Sequence, residues 1–281
     1  MRWRTVNAVA RDTKIARETR AILTGMCFST DARPPLPPMQ GGALDARDLT
    51  LTSADGTAFA AYAARADQPT GAGVVILPDV RGLHPYYDEL TLRFAESGVD
   101  AIAIDPYGRT AGAEKRAEGF DYQPHVLQLG LDGANADVAT AAAYLRSADG
   151  GAPERLYTIG FCFGGRISLL QAASGLELAG VIGLYPWPTG PHRSGLPAPA
   201  DEATRFACPV LAIYGGADAG IPADQRDAFD RAMDDAGVEH RTVVYPDAPH
   251  SYFDREAAEH ADTSADTWRQ ILDFIGIAQS R

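Results

Sequence analysis

The chain has 281 residues, of which 46% are hydrophobic, and a formal net charge of −12 at pH 7. The negative charge argues against nucleic acid and against an anionic membrane as partners, because the phosphates of both would be repelled. No stretch of the sequence approaches the ~20 apolar residues that a membrane-spanning helix requires. We expect neither nucleic acid nor a membrane as partner, and we expect a monomer or a small homo-oligomer.

Residues 1–43 are interpreted as an N-terminal extension that ends in a proline-rich arm. Residues 1–25 carry six basic residues but lack the apolar core of a signal peptide. Met26 is an alternative translation start, so we assign no function to the segment before it. Residues 33–38 read Arg-Pro-Pro-Leu-Pro-Pro, a pattern typical of polyproline II, and we expect an extended arm along the main domain.

From Leu44 onward, short apolar runs alternate with helix-like segments, which predicts one domain over residues 44–281. Two runs around an Asp55-Gly56 turn predict an antiparallel hairpin. The later apolar runs cover residues 74–77, 101–104, 156–159, 181–185, 210–214 and 242–245, and the helix-like segments cover residues 87–97, 132–146, 166–173, 223–236 and 264–275. Uniformly apolar runs are typical of parallel strands buried on both faces. The pattern predicts an α/β fold with a doubly wound, mostly parallel sheet.

Cys162 lies in the most informative motif, Gly160-Phe161-Cys162-Phe163-Gly164-Gly165, between a predicted strand and a predicted helix. A nucleophile on a sharp strand-to-helix turn needs small residues around it, because its backbone is strained. The N-terminus of the following helix favours the thiolate form of the sulfur. The alternative is a buried cysteine beside a tight turn.

Asp218 and His250 follow two later predicted strands and complete the order nucleophile, acid, base. Asp218 ends the motif Tyr-Gly-Gly-Ala-Asp, and His250 lies in Ala-Pro-His-Ser. Loops after parallel strands gather at one edge of a sheet, where ligands bind. The order Cys162, Asp218, His250 is the one expected of an α/β-hydrolase, although either of the last two alone fits an ordinary turn or surface residue.

The three cysteines, Cys27, Cys162 and Cys208, are widely spaced and odd in number, so no disulfide framework is predicted. A reducing cytoplasm suits a reactive thiol, and we expect a cytoplasmic protein. The histidines show no metal-ligand spacing, and no glycine pattern for nucleotides occurs. We therefore expect neither a metal nor a cofactor.

These motifs resemble those of the dienelactone hydrolase family of α/β-hydrolases. The resemblance includes Leu-Pro-Asp-Val-Arg-Gly-Leu-His-Pro at residues 77–85 and Asp-Pro-Tyr-Gly-Arg at residues 105–109, and it spans residues 44–275. It implies an α/β-hydrolase fold with Cys162 as nucleophile, His250 as proton shuttle and Asp218 as its orienting acid. It also implies an oxyanion hole formed by the backbone N–H groups of Val80 and Phe163.

Three further roles are implied by the resemblance. Asp79 stands where the family has a glutamate that helps to deprotonate the thiol, and aspartate shortens that reach by one methylene group. Arg109 matches an arginine that pairs with the substrate carboxylate, a contact that suits a guanidinium fork. The family's second arginine follows the catalytic histidine by four residues; this chain has Asp254 there and Arg255 one residue later.

The remaining pocket is expected to be aromatic and loop-lined. Tyr107 is one of several aromatic residues that we expect to contact substrate. The irregular, proline-rich residues 186–206 are typical of a lid or a binding loop. The sequence thus favours a cysteine hydrolase of a small lactone or ester, with or without a carboxylate, that forms a thioester. Two alternatives are a general carboxylesterase or thioesterase on the same triad and a ligand-binding or redox-sensing pseudoenzyme that uses Cys162.

Overall fold

A computed structural model describes Pro34, residues 42–253 and residues 260–277 of the chain. Most of the predicted N-terminal arm therefore lies outside the described residues. Pro34 is the exception, and it is buried. Asp254 and Arg255 also lie outside the described residues. Within the described part, no helix is both long enough and apolar enough to cross a membrane.

The described residues form one eight-stranded mixed sheet. Its strands are β1 (Ala43–Thr52), β2 (Ala58–Ala66), β3 (Ala72–Leu77), β4 (Val99–Ile104), β5 (Arg155–Phe161), β6 (Gly180–Leu184), β7 (Val210–Gly215) and β8 (His240–Tyr245). They are arranged in the order β1-β2-β4-β3-β5-β6-β7-β8. The pairs β1–β2 and β2–β4 are antiparallel, and the remaining pairs are parallel. The predicted hairpin that enters a mostly parallel sheet is therefore confirmed.

Helices flank this sheet, as the alternating pattern predicts. They are α1 (Pro85–Glu96), α2 (Gly108–Ala111), α3 (Gln123–Val126), α4 (Leu131–Arg146), α5 (Phe163–Leu170), α6 (Pro199–Glu202), α7 (Ala223–Ala236) and α8 (Ala261–Ile275). The short helices α2, α3 and α6 are not predicted by the sequence, because four residues are too few to show a helical period. Helix α1 packs on β2 and β4, α5 packs on β5 and β6, and α8 packs on β7.

Burial on both faces explains why polar and apolar residues do not alternate along the central strands. Every residue of β3, β4, β6 and β7 is buried, as expected of parallel strands covered on both faces. The edge strand β8 is only partly buried. Because the central strands are fixed in the core, the loops that follow them are held at one edge of the sheet. The sequence motifs lie in these loops.

Candidate active site

Cys162 occupies a strained turn between β5 and α5. Its φ of 55° and ψ of −113° lie outside the ordinary regions for a residue with a side chain. Side chains at Gly160 and Gly164 would collide with neighbouring backbone: a Cβ at Gly160 would overlap the carbonyl of Gly164, and one at Gly164 would overlap the carbonyl of Leu77. Close backbone approach therefore explains these glycines of the motif.

The turn holds Cys162 at the start of a helix. The residue is fully buried, and its N–H donates to the carbonyl of Leu184 at 3.0 Å, which ties the turn to β6. Phe163 is the first residue of α5, and first-turn N–H groups of a helix have no acceptor within the helix. The positive end of the α5 dipole therefore lies at Cys162 and favours negative charge there.

The loops after β7 and β8 pack tightly and bring Asp218 to His250. A Cβ at Gly215 would overlap the carbonyl of Ala248, and one at Gly216 would lie 2.6 Å from the carbonyl of Pro246. The glycines before Asp218 therefore allow the two loops to meet backbone to backbone. This approach makes the acid and the histidine neighbours although they are 32 positions apart in the chain.

His250 has one ring nitrogen held by a carboxylate and the other unpaired. Asp218 Oδ2 lies 2.5 Å from His250 Nδ1, and both side chains are almost completely buried. Gly220 donates its N–H to the other oxygen, Asp218 Oδ1, at 2.8 Å. His250 Nε2 is buried and has no hydrogen-bond partner among the described residues. An imidazole in this arrangement can take up and return a proton at Nε2.

Two aromatic rings fix the plane of that imidazole. Tyr185 lies 4.9 Å from the His250 ring, and Trp187 lies 5.1 Å from it, measured between ring centroids. Tyr185 directly follows Leu184, the acceptor of the Cys162 N–H, so the histidine lies against the segment that holds Cys162. The three predicted catalytic residues therefore converge at the same edge of the sheet.

Asp79, in the loop after β3, has a dense set of partners. Arg81 donates from Nε and Nη2 at 3.0 and 2.7 Å and from its backbone N–H at 2.8 Å. The hydroxyl of Tyr87 donates to the same carboxylate at 2.9 Å. Burial alone would raise the pKa of Asp79, but the charge of Arg81 and hydrogen bonds from His84 and Arg81 hold it well below its usual range. Asp79 is therefore a fixed anion.

Val80 is oriented by Tyr107. The Tyr107 hydroxyl donates to the Val80 carbonyl at 2.7 Å, and both residues are buried. Tyr107 is fixed in turn by Asp105, whose Oδ2 accepts the Tyr107 N–H at 2.9 Å. Asp105 also accepts the N–H of Leu83 at 3.0 Å and forms a buried ion pair with Arg116. These bonds set the direction of the peptide groups around Val80, one of the two predicted oxyanion donors.

Arg109 forms ion pairs with two carboxylates. Its Nη1 donates to both oxygens of Asp137 at 2.6 and 2.7 Å, and its Nη2 donates to Asp55 at 2.8 Å. These partners lie on α4 and in the β1–β2 hairpin. The structure thus uses this guanidinium to join the hairpin to α4. Arg255, the other predicted substrate-binding arginine, lies outside the described residues.

Arg166 is a buried residue that the sequence motifs did not single out. It lies on α5 and donates to four backbone carbonyls, at 2.8 to 3.1 Å, of residues 187–197. These carbonyls belong to the loop of residues 186–198, which we call the β6–α6 loop. Trp187 of this loop also donates from Nε1 to the carbonyl of Gly220 at 3.1 Å. The loop is therefore fixed both to the helix after Cys162 and to the segment after Asp218.

Within the described residues, no group of three or more His, Cys, Asp or Glu side chains could hold a metal ion. The site combines a thiol at a helix N-terminus with an imidazole and its carboxylate, an arrangement that can perform acyl transfer. Nearby backbone N–H groups are the remaining component that acyl transfer requires.

Comparison with known proteins agrees with the fold and with these motifs. The model of the dienelactone hydrolase family matches residues 59–278. A Yersinia pestis protein named "Putative carboxymethylenebutenolidase" is 30% identical over 230 residues, which cover 80% of this chain and 86% of that protein. A Salmonella typhimurium protein of the same name is 32% identical over 260 residues, which cover 88% and 94%.

Among solved structures, a dienelactone hydrolase described as putative, from Klebsiella pneumoniae, aligns with a TM-score of 0.69 at 28% identity. The alignment covers 84% of this chain and 100% of that one. The family model spans seven of the eight described strands, from the second residue of β2 onward, and every residue of the candidate site. The chain therefore belongs to the dienelactone hydrolase family, within the α/β-hydrolase superfamily, and is a hydrolase of carboxylic esters or lactones.

Proposed function

We propose that the protein hydrolyses a small lactone or ester through a thioester on Cys162. The observation that carries this proposal is the buried Asp218–His250 pair, whose free Nε2 lies at the sheet edge where Cys162 holds its strained turn. A buried imidazole with one nitrogen held and the other unpaired is the arrangement that a general base requires.

In the first step, Sγ of Cys162 attacks the substrate carbonyl carbon while the thiol proton passes to His250 Nε2. Asp218 accepts the Nδ1–H and stabilises the imidazolium that forms. The tetrahedral intermediate collapses to a thioester, and the leaving alkoxide takes the proton from Nε2. Water then loses a proton to Nε2 and attacks the thioester, and the thiol and the carboxylic acid are released.

We further propose that the oxyanion accepts hydrogen bonds from the N–H groups of Phe163 and Val80. The first belongs to the opening turn of α5, and the second lies in the loop whose peptide groups Tyr107 and Asp79 orient. A carboxylate with a pKa as low as that of Asp79 is a weak base. In this proposal Asp79 therefore helps to set the charge and geometry around the thiol, and His250 performs the proton transfer.

The first experiment is a panel of aromatic and aliphatic esters and lactones, with and without a carboxylate, assayed under reducing conditions. We expect turnover of at least one class by the wild-type protein and none above the background rate by Cys162→Ala. Cys208→Ala is the matched control and should keep full activity, because Cys208 lies outside the site. Full activity in Cys162→Ala would end the thioester proposal.

A general carboxylesterase or thioesterase is the second candidate, and one observation favours it. Arg109, the residue expected to bind a substrate carboxylate, is already paired with Asp137 and Asp55. An enzyme without another cation in the pocket would hydrolyse neutral and anionic esters at similar rates. The same panel separates these two hydrolases, because each substrate is tested with and without its carboxylate.

We also propose that the protein works in the cytoplasm without a cofactor, because a nucleophilic thiol needs a reducing compartment and acyl transfer needs no redox group. The redox-sensing alternative, in which Cys162 is oxidised rather than acylated, predicts a different result from the panel. Each substrate would be recovered intact after long incubation with the reduced protein. Ester turnover that depends on Cys162 would exclude the redox-sensing alternative.

A further inference from the structure

The hydroxyl of Tyr87 joins helix α1 to the loop after β3. It accepts the backbone N–H of Asp79 at 2.8 Å and donates to Oδ2 of the Asp79 carboxylate at 2.9 Å. One hydroxyl therefore holds both the main chain and the side chain of the same residue. Tyr87 is fully buried, so water does not compete for either bond. Tyr87 takes no part in the proton transfers of the proposed reaction.

Tyr87 is itself held in place. Its N–H donates to the carbonyl of His84 at 2.9 Å, and its carbonyl accepts the hydroxyl of Thr91 at 2.7 Å. Its ring lies 5.7 Å from the ring of Phe161, measured between centroids. Phe161 directly precedes Cys162. The Tyr87 ring therefore packs against the strand residue that leads into the turn at Cys162.

Three hydrogen bonds fix the backbone on either side of Val80. The N–H of Asp79 donates to Tyr87, and the Asp79 carboxylate accepts the N–H of Arg81 at 2.8 Å. The Asp79 carbonyl accepts the N–H of Gly82 at 3.0 Å. That carbonyl and the Val80 N–H belong to one trans peptide group and point in opposite directions. The bond from Gly82 therefore turns the Val80 N–H out of the loop.

The Val80 N–H makes no hydrogen bond within the described part of the chain, although Val80 is only 1% exposed. A buried N–H without an acceptor is costly, and such a donor suits a ligand oxygen. The loop of Val80 also contacts the helix after Cys162, because a Cβ at Gly164 would overlap the carbonyl of Pro78. The donor thus lies in a loop that meets the turn at Cys162 backbone to backbone.

We propose that Tyr87 is a positioning residue for the hydrolysis: through Asp79, it directs the Val80 N–H at the oxyanion. The assignment rests on the proposed reaction at Cys162, and it adds a residue that the sequence motifs did not single out. Asp79 is one methylene group shorter than the glutamate that the family has at this position. Tyr87 reaches this shorter carboxylate from α1, so the aspartate is held within its own loop.

The test compares a reaction that forms an oxyanion with one that does not. Ester hydrolysis forms an oxyanion, whereas iodoacetamide alkylates Cys162 by displacement of iodide at a saturated carbon. We expect Tyr87→Phe to lower kcat about 10-fold and to change KM less than about 2-fold, because the oxyanion develops only in the transition state. Complete removal of an oxyanion donor costs about 100- to 1000-fold, and a loosened donor costs less. The alkylation rate of Cys162 should stay within about 2-fold of wild type at each pH tested.

Tyr157→Phe is the matched control. Tyr157 is buried and its hydroxyl donates to the carbonyl of Ile275 at 3.3 Å, so this variant also loses one buried hydroxyl. Tyr157 lies near the start of β5, whereas Cys162 follows the end of that strand. The control should therefore leave both kcat and the alkylation rate unchanged. Urea unfolding of the two variants shows that each is folded.

Two results would overturn the assignment: an unchanged kcat in Tyr87→Phe, or equal losses of kcat and of alkylation rate, which indicate a general disturbance of the site. Wild-type protein that alkylates normally but hydrolyses no ester would count against the proposed function alone. An aryl trifluoromethyl ketone then decides the role of Tyr87, because addition of the thiol to its carbonyl carbon leaves an oxyanion in the adduct. Fluorine NMR should show about 10-fold weaker adduct formation in Tyr87→Phe. Equal adduct formation in both proteins, or none in either, refutes the assignment.

Discussion

At the scale of single residues, positive backbone φ angles occur at three non-glycine positions around the site: Cys162 at 55°, Tyr185 at 39° and Ser251 at 57°. Cys162 has a backbone conformation that costs about 1 to 3 kcal/mol, and the hydrogen bond from its N–H to Leu184 helps to hold it there. The ring of His250 is held by a hydrogen bond to Asp218 and by contacts with the rings of Tyr185 and Trp187. The thiol thus lies on a strained turn, and the imidazole is positioned by its hydrogen bond and its ring contacts.

Tyr107 gives the clearest test of how the Val80 loop is oriented. Tyr107→Phe removes only the hydroxyl that donates to the Val80 carbonyl at 2.7 Å. We expect kcat to fall by up to about 10-fold with little change in KM, because a loosened Val80 peptide group stabilises the oxyanion less well. The unfolding free energy should fall by about 1 kcal/mol.

The control for this change is Tyr144→Phe, which removes a hydroxyl that contacts Arg47 and the carbonyl of Asp149 on the surface. This variant should leave kcat unaltered. Steady-state kinetics on one neutral ester measure kcat and KM of both variants. If Tyr107→Phe changed KM and left kcat intact, this result would contradict the positioning role.

His192 predicts a pH dependence of stability. Burial, followed by the charges of Arg166 and Arg193, lowers the pKa of His192 from 6.5 to about 4. Its Nδ1 accepts the N–H of Ser194 at 3.2 Å, which fits the neutral ring. Between pH 6.5 and 4 the unfolded chain therefore binds a proton that the folded protein does not bind. The contribution of His192 to the unfolding free energy is complete above pH 6.5 and is lost as the pH falls toward 4.

We expect this one group to contribute about 3 kcal/mol to the decline in unfolding free energy across that window. Urea denaturation of wild-type protein and of His192→Gln at several pH values measures it. The variant should show a shallower decline between pH 6.5 and 4, and the difference between the two should be constant above pH 7. Parallel curves across the whole range would show that His192 binds its proton as readily in the folded protein as in the unfolded chain.

At the scale of elements, strand order decides which loops meet. β5, which carries the nucleophile turn, lies between β3 and β6, and β7 and β8 follow β6 in the sheet. The Val80 loop is therefore adjacent to Cys162 on one side. The β6–α6 loop and the loops of Asp218 and His250 approach from the other side. Arg166 then connects α5 to the β6–α6 loop, so a single helix holds the nucleophile turn and the loop beside it.

Arg166→Met tests that connection. Burial lowers the pKa of the Arg166 guanidinium to about 10, but it remains charged at neutral pH and satisfies four backbone carbonyls. Methionine keeps the volume and leaves these acceptors unpaired, so we expect a loss of about 2 to 4 kcal/mol in unfolding free energy. Limited proteolysis should then cut within residues 186–198.

Arg205→Met is the matched control, since Arg205 is exposed and pairs with Glu202. It should change the unfolding free energy by less than about 0.5 kcal/mol. If Arg166→Met were as stable and as resistant to protease as this control, the β6–α6 loop would be held by other contacts.

At the scale of the whole molecule, the sequence predicts what depends on local patterns. The buried strands, the entering hairpin and the glycines around Cys162 each leave a signal within a few residues. The long-range pairs leave none: Arg109 meets Asp137, 28 positions away, and Arg166 meets carbonyls up to 31 positions away. The sequence shows an arginine but does not show whether its guanidinium binds substrate, an aspartate or a peptide group. Only the folded chain shows that Arg109 pairs with Asp137 and that Arg166 binds backbone carbonyls.

The last prediction concerns the N-terminal segment and the edge of the sheet. The family match begins at residue 59, and the first described strand, β1, begins at Ala43. Removal of residues 1–25 keeps Pro34 and all of β1, so we expect Tm and kcat/KM to remain close to those of the full chain. Removal of residues 1–52 takes away β1 and leaves the antiparallel edge of β2 unpaired. This second variant should lose several degrees in Tm and aggregate at high concentration, because an unpaired edge strand templates association. Differential scanning calorimetry and light scattering compare the three proteins. A large loss of Tm in the shorter truncation would show that residues 1–25 stabilise the domain.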